Sequence, residues 1–361
     1  MRLDPARFAG RVSGREVRLF ELRSSALSVA VCNHGARVLQ LIVPDRQGRE
    51  RDVVLGHDSL AQLLEGMPSM GAFIGRYANR IAGARFLIRG QLHRLPHNDP
   101  LHCVHGGPGG SRHQVFDVLT SAADRLTLAW TFRSVDDGFP GDVDLQLGYQ
   151  VHGSTLAIDY SAVVRGASTP LNFTSHPFFN LEGQESGCAL DHGLQIAADH
   201  FVPVGADRIA LGHFEPVAGT AFDFRTTRTL RAAMGQGHEQ LTVGRVSAGF
   251  DHSFVNPQDL AAGQIAGALR FQAQLQAPGS GVVMQVWSDA PSLQLYSSAG
   301  MDGSLPKHAG KHGRVHLSGS AVCLEPQRLP DAPNQVGFGH CIFEPGQRVQ
   351  GRIEYRFSVS P

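Results

Sequence analysis

The sequence predicts an all-β fold, a large antiparallel β-sandwich with few short helices. Three features of the chain lead to this prediction. The 42 glycines and 20 prolines among 361 residues are typical of a chain that turns often. Apolar residues recur with a period of two in several segments, as in half-buried strands. Segments with helical periodicity are scarce and short.

The first element with a clear pattern is a short helix over residues 58–64, for which Asp58 or Ser59 offers an N-terminal cap. A pair of longer strands comes next. Apolar residues fall on odd positions over 145–151 and on even positions over 156–164, on either side of a His-Gly-Ser turn. This change of phase across a tight turn predicts a β-hairpin.

Two further strands are predicted nearer the end of the sequence, over residues 282–286 and 353–359, where the period of two returns. Residues 257–281 are rich in Gln, Ala and Gly, and this composition predicts a surface excursion. The segments that carry chemistry lie on both sides of it. If they build one site, residues 1–361 form a single domain, which is our expectation.

Composition excludes several functional classes. The 32 basic and 32 acidic residues leave no net charge, which argues against a nucleic-acid binder or a polybasic membrane anchor. No segment reaches the ~18 consecutive apolar residues of a membrane span, and no apolar stretch of a signal peptide follows the first residues. The five cysteines are widely spaced and never form a CxxC pair, which favours reduced thiols. We therefore expect a cytoplasmic protein.

Four segments contain residues suited to chemistry. In the first, Asn79 and Arg80 precede His105 in a Gly-rich context, where an arginine offers donors to vicinal oxygens. In the second, Pro177 favours an extended backbone at His176, which suits a proton donor held on a strand. Isolated residues of these kinds are also common in surface loops or as buried histidines bonded to a carbonyl.

The third and fourth segments contribute carboxylates. Asp251 begins an Asp-His-Ser-Phe run, and its ordinary alternative is a turn residue that accepts from nearby amides. Glu325 lies among apolar residues, where partial burial would raise its pKa and make it a useful base. Its ordinary alternative is a salt bridge to Arg328 or to another arginine.

Taken together, these segments resemble the aldose 1-epimerase (galactose mutarotase) family in the same order along most of the chain. The match is dense, and its last element, Leu-Glu-x-Gln-x-x-Pro-Asp-Ala-Pro-Asn, is both long and specific. The matching motifs lie at residues 75–81, 105–107, 137–141 in shortened form, 175–181, 249–252 and 324–334.

The resemblance implies a β-supersandwich fold, no cofactor, and interconversion of the α and β anomers of a free hexose of the galactose or glucose type. By position, Glu325 resembles the general base and His176 the general acid of the family. The residues that resemble its sugar-binding set are Asn79, Arg80, His105, Asp251 and Gln294.

The chemistry of ring opening is consistent with these roles. A hemiacetal opens when one group removes the proton of the anomeric hydroxyl and another delivers a proton to the ring oxygen. Each positioned transfer contributes ~10²–10⁴ in rate. In the forward step this requires an ionised Glu325 and a protonated His176, and it predicts a bell-shaped dependence of kcat/KM on pH.

Two other functions stay open at this stage. A glycoside hydrolase would use two carboxylates, for which Asp251 and Glu325 are the candidates. A noncatalytic carbohydrate-binding module on the same fold would need neither a proton donor nor a base. The expected partner is in each case a small-molecule sugar, with no nucleic acid and no membrane, and the protein is expected to be a monomer or homodimer.

A metal site is not expected. The histidines between His93 and His113 match no closed zinc motif, and surface-loop histidines are the ordinary interpretation.

Overall fold

The structure is a computed structural model that describes residues 2–244, 247–261 and 268–360. Most of its regular elements are strands. In the first half of the chain they are β1 (Gly10–Val12), β2 (Arg15–Val17), β3 (Leu19–Arg23), β4 (Ser28–Cys32), β5 (Arg37–Pro44), β6 (Glu50–Asp52), β7 (Phe73–Ile74), β8 (Arg80–Ile81), β9 (Arg85–Ile88), β10 (Gln91–Arg94), β11 (Cys103–Val104), β12 (Asp117–Ser121), β13 (Arg125–Phe132), β14 (Asp142–His152) and β15 (Thr155–Arg165). In the second half they are β16 (Thr169–Pro170), β17 (Thr174–Ser175), β18 (Gly193–Ile196), β19 (His200–Phe201), β20 (Glu215–Pro216), β21 (Arg228–Thr229), β22 (Asp251–Val255), β23 (Arg270–Gln276), β24 (Val282–Ser288), β25 (Ser292–Tyr296), β26 (Cys323–Gln327), β27 (Ile342–Phe343) and β28 (Arg348–Val359).

The α-helices of the described residues are short, as expected. They are α1 (Leu60–Glu65), α2 (Ser134–Asp137), α3 (Leu230–Gly235) and α4 (Pro257–Ala261). The predicted helix over 58–64 is confirmed as α1. Of its two candidate caps, Ser59 is the one used, because its hydroxyl accepts from the backbone N–H of Gln62.

A nine-stranded antiparallel sheet forms the largest layer, in the order β12-β13-β14-β15-β28-β24-β23-β18-β21. The predicted hairpin is confirmed as β14 and β15, whose strands pair from Asp142↔Arg165 to His152↔Thr155. The predicted strands over 282–286 and 353–359 are also confirmed, and they lie side by side as β24 and β28.

Two smaller sheets pack against this layer. One has the order β3-β4-β5-β6, and the other has the order β20-β19-β22-β25-β26. A single hydrophobic cluster joins all three sheets, and its members include Val31, Val38, Leu147, Ile158, Leu293 and Leu324. Burying each such side chain contributes ~1.5–3 kcal/mol. The all-β prediction is therefore confirmed, and the shared core supports the expectation of one domain.

The predicted surface excursion over 257–281 is wrong for Arg270–Gln276, which forms β23 inside the nine-stranded sheet. Ala273 and Leu275 point into the core, and Gln274 between them faces the other side, so this Gln-rich segment contains the alternation of a strand. Residues 262–267 of that stretch lie outside the described residues.

Two further observations concern expectations from composition. All five cysteines are free thiols. Within the described residues, no helix has both the length and the apolar character that crossing a membrane requires.

Candidate active site

The five-stranded sheet presents a row of polar residues on one face. In its register Gln294 of β25 lies opposite Ser253 of β22 on one side and Glu325 of β26 on the other. Because alternate residues of a strand point to the same face, Asp251 and Glu325 share this polar face with Gln294. The intervening residues Phe254, Leu293, Leu295 and Leu324 point into the core.

His176 directly follows β17, which packs beside β26, and its side chain approaches Glu325. Its backbone N–H donates to the carbonyl of Ala72, and its carbonyl accepts from Gly71, so the residue is fixed on both sides. The ring stacks on Phe178 with 5.0 Å between ring centroids. His176 Nε2 lies 3.4 Å from Glu325 Oε1, and both side chains are buried. The predicted acid and base are thus neighbours in space.

Burial sets the charge state of this pair. It raises the pKa of Glu325 well above its usual value, and the nearby Asp251 carboxylate adds to the shift. Burial also lowers the pKa of His176 to about 4, although Asp251 acts in the opposite direction. In the substrate-free site the pair therefore favours a protonated Glu325 and a neutral His176, the reverse of the charges predicted from the sequence for the forward step.

The ordinary alternatives for these two residues do not match the structure. In the described part of the chain, no arginine forms an ion pair with Glu325, and Arg328 donates instead to the carbonyl of His340. Glu325 Oε2 and His176 Nδ1 are both buried without a hydrogen-bond partner among those residues. Unpartnered buried polar atoms are costly, so their presence indicates a site that a ligand completes.

A cavity of about 420 Å³ lies over the pair, and its lining includes four of the five predicted sugar-binding residues. These are Asn79, Arg80, His105 and Asp251. They come from two distant parts of the chain, since Arg80 and Val104 pair across β8 and β11 while Asp251 begins β22. The fold thus brings together residues that are more than 140 positions apart in the sequence.

His105 is held as a neutral donor. Its Nδ1 accepts from the backbone N–H of Asn79 at 3.2 Å, which leaves Nε2 as the protonated nitrogen. Burial lowers the pKa of His105 well below its usual value, with Arg112 contributing. Both Asn79 and His105 have positive φ angles, +64° and +55°. Two residues that line the cavity thus adopt a backbone conformation that costs free energy.

Gln294 lies behind the cavity. Its Nε2 donates to Asp251 Oδ1 at 2.7 Å, and its Oε1 accepts from the hydroxyl of Ser253. It is not among the residues that line the cavity. The contacts support a role in orienting Asp251, and direct contact of Gln294 with a sugar stays a prediction.

The structure adds two charged residues that the sequence did not single out. Asp99 accepts from Arg80 Nε at 2.6 Å and from Arg208 at 3.3 Å, so one carboxylate fixes two guanidinium groups at the cavity. Neither residue lies in a motif, so the sequence held no signal for them.

Other residues that line the cavity are Met67, Ser69, Phe178, Tyr296, Met301 and Asp302. Of these, Tyr296 follows from the alternation of β25, which places it on the same face as Gln294.

His176, Cys323 and Glu325 each offer one atom that could ligate a metal, and these three atoms lie within 4.8 Å of one another. Among the described residues, no other group of three or more His, Cys, Asp or Glu side chains is as compact. The histidines between His93 and His113, all of them described, form no such group.

Comparisons with known proteins place these features in a family. A profile described as Aldose 1-epimerase matches residues 18–356. The chain is 36% identical to galactose mutarotase of Mus musculus over 351 residues, 96% of each chain. It is 29% identical to aldose 1-epimerase of Escherichia coli strain K12 over 348 residues, 95% of this chain and 96% of the other.

Solved structures show the same fold. The structure of an aldose epimerase homologue from C. elegans matches with a TM-score of 0.83 at 26% identity, covering 95% of this chain and 99% of that one. Galactose 1-epimerase from Lactobacillus acidophilus matches with a TM-score of 0.80 at 23% identity, covering 98% and 97%.

Proposed function

Because the chain belongs to the aldose 1-epimerase family, we propose that Glu325 is the general base of its reaction and His176 the general acid. The protein is an isomerase that interconverts the α and β anomers of a free aldose. The observation that carries the proposal is the pair itself, two buried side chains 3.4 Å apart at the base of a cavity, each with an unpartnered polar atom.

The pair holds one proton in the substrate-free site. Transfer of that proton from Glu325 to His176 gives a carboxylate and an imidazolium, which are the forms that ring opening needs. Glu325 then removes the proton of the anomeric hydroxyl while His176 donates its proton to the ring oxygen. The bond between C1 and the ring oxygen breaks, and a carbonyl forms at C1.

Ring closure repeats these steps in the opposite direction. After rotation about C1–C2, the C5 hydroxyl attacks the other face of the carbonyl. His176 takes back the proton of that hydroxyl, and Glu325 returns its proton to the oxygen on C1. The protein ends in its initial state, so the residues of this site suffice for the reaction without a change in total protonation.

The cavity residues around the pair are suited to sugar hydroxyls. His105 Nε2–H and the terminal nitrogens of Arg80 are donors, and the Asp251 carboxylate is an acceptor. A cavity of about 420 Å³ is near the lower end of the ~300–1,000 Å³ typical of small-molecule sites, which suits a monosaccharide. Galactose is the first aldose to test, because several relatives are named galactose mutarotase.

Polarimetry on freshly dissolved pure anomers tests the proposal. We expect the optical rotation of α-D-galactose or α-D-glucose to reach equilibrium faster with the protein than in buffer with an inert protein. A methyl galactoside, whose anomeric oxygen carries no proton, is expected to stay intact. Hydrolysis of that glycoside would favour the hydrolase alternative, and sugar binding without faster equilibration would favour a binding module.

A further inference from the structure

Cys323 lies directly beside the catalytic pair. It is two residues before Glu325 on β26, so both side chains point to the same face of the strand. His176, the residue after β17, reaches the same place from the adjacent segment. The Cys323 thiol is fully buried, and it lies within 4.8 Å of both His176 and Glu325.

These three side chains are of the types that can hold a thiophilic divalent cation. Thiolate, imidazole and carboxylate are the ligands that Zn²⁺ takes in proteins, with bonds of about 2.0–2.3 Å. Tetrahedral angles at such bonds separate the ligand atoms by roughly 3.3–3.6 Å. The 3.4 Å between His176 Nε2 and Glu325 Oε1 falls in that range.

The site is open on one side. His176 and Glu325 line the cavity, so a cation bound by three protein ligands would keep its fourth position towards the cavity. Glu325 Oε2 and His176 Nδ1 have no hydrogen-bond partner among the described residues, so no protein contact has to be broken at these atoms for the side chains to adjust.

We propose that Cys323, His176 and Glu325 bind Zn²⁺ in the sugar-free protein and that the bound cation excludes the aldose. The cation replaces the proton of the thiol and the proton shared by the pair, and both protons pass to solvent. Zn²⁺ is then a reversible inhibitor that competes with the sugar for the same two side chains. Binding of the cation depends only on the cluster, whereas the inhibition rests on the proposed function.

Cobalt substitution tests the ligand set without any assay of activity. Co²⁺ added to the sugar-free protein is expected to bind with one equivalent and to give a thiolate-to-cobalt charge-transfer band in the near ultraviolet. Cys323→Ala and Cys323→Ser should each lose this band and bind Zn²⁺ at least about tenfold more weakly by calorimetry. Cys341→Ala is the matched control, because Cys341 is also a buried free thiol but belongs to another cluster.

Inhibition tests the consequence for the sugar. Zn²⁺ at about ten times its dissociation constant is expected to raise the apparent KM about tenfold with kcat unchanged, and a chelator should restore the initial value. Both Cys323 variants should keep mutarotation within about threefold of the unmodified protein and need at least about tenfold more Zn²⁺ for the same effect.

The outcomes separate this inference from the proposed function. Absence of the charge-transfer band, or equal zinc inhibition of the unmodified protein and both Cys323 variants, would overturn the cation site while mutarotation still supports the epimerase. A band that Cys323 variants lack, in a protein without mutarotation, would uphold cation binding and overturn the function. Circular dichroism of each variant distinguishes loss of a ligand from loss of the fold.

Discussion

One proton shared between Glu325 and His176 is the central feature of the site at the scale of single residues. Burial disfavours a charge on either group, so in the substrate-free protein the proton resides on the carboxyl. We propose that a bound aldose supplies hydrogen bonds to the unpartnered atoms of both groups and thereby stabilises the charged forms. Substrate binding is in this way coupled to formation of the reactive pair.

Replacing either group should remove one proton transfer. We expect Glu325→Gln and His176→Asn each to lower kcat by about 10² or more, measured by polarimetry on a pure anomer. Glu185→Gln and His97→Asn, at exposed positions, are matched controls and should keep the original rate. A near-normal kcat in folded Glu325→Gln would contradict the mechanism while leaving the family assignment in place.

The pH dependence of kcat/KM identifies which group of the pair titrates on the acid side of the profile and which titrates on the alkaline side. The pair is active with one proton, so activity should fall in acid as His176 takes up a second proton, near its pKa of about 4. It should fall in alkali as Glu325 loses its proton, well above the usual carboxyl range, because burial raises that pKa. We therefore expect His176→Asn to lose the acid limb of the profile in its residual activity. Loss of the alkaline limb instead would support the ionic pair predicted from the sequence.

At the scale of elements, a short two-stranded pair and the loops beside it position residues at the rim of the cavity. The β8–β11 pair places Arg80 beside the turn that carries His105. Asp99, from the loop between β10 and β11, fixes Arg80 and also reaches Arg208, which belongs to the loop between β19 and β20. One carboxylate thus joins two separate loops and contacts Arg80 through Nε. We propose that the terminal nitrogens of Arg80 bind the sugar.

Removing this link should weaken sugar binding more than catalysis. We expect Asp99→Ala to raise KM about tenfold, equivalent to about 1.4 kcal/mol, with a smaller change in kcat, because Arg80 loses its orientation. Asp207→Ala is the control. Asp207 is half-exposed and contacts His102 across the same two loops, and exposed contacts of this kind contribute only ~0–1 kcal/mol. A drop in kcat with unchanged KM in Asp99→Ala would argue against the positioning role.

At the scale of the whole molecule, three sheets share one core that extends from Leu22 to Phe357. From this continuity we propose a single domain over residues 1–361. Buried polar contacts also join segments that are distant in the sequence. In one of them Arg76 donates to both carboxylate oxygens of Asp137, at 2.7 and 3.0 Å, and both side chains are buried. The cytoplasmic location and the monomeric or homodimeric state stay predictions.

The buried ion pair makes a specific prediction about stability. Burial raises the pKa of Asp137 to about 6 despite the attraction of Arg76, which shows how strongly the pair is desolvated. Removing the carboxylate in Asp137→Ala leaves the guanidinium buried without its partner, and we expect the free energy of unfolding to fall by about 3–5 kcal/mol. Asp144→Ala, which breaks the half-exposed pair with Arg165, should cost less than about 1 kcal/mol. Urea unfolding measures both, and equal losses would contradict the argument.

The sequence by itself determined the fold class, several of the elements and the types of residue at the candidate site. Alternation of apolar residues is a local property, so the β14–β15 hairpin and the strands β24 and β28 were predictable from neighbouring positions. The motifs around His176 and Glu325 were equally local, and they carried the family resemblance and the proposed roles.

Tertiary structure decided what depends on distant residues. The burial that reverses the charges of Glu325 and His176 comes from packing around them, and no local pattern reports it. The register of β22, β25 and β26 places Gln294 behind Asp251, although its sequence position looks like that of a sugar contact. The contacts of Asp99 with Arg80 and Arg208 join loops that are distant in the sequence, so they could be identified only in the folded structure. Local patterns specify which face of a strand is buried, whereas the pairing of strands across the fold specifies which groups meet and how much water surrounds them.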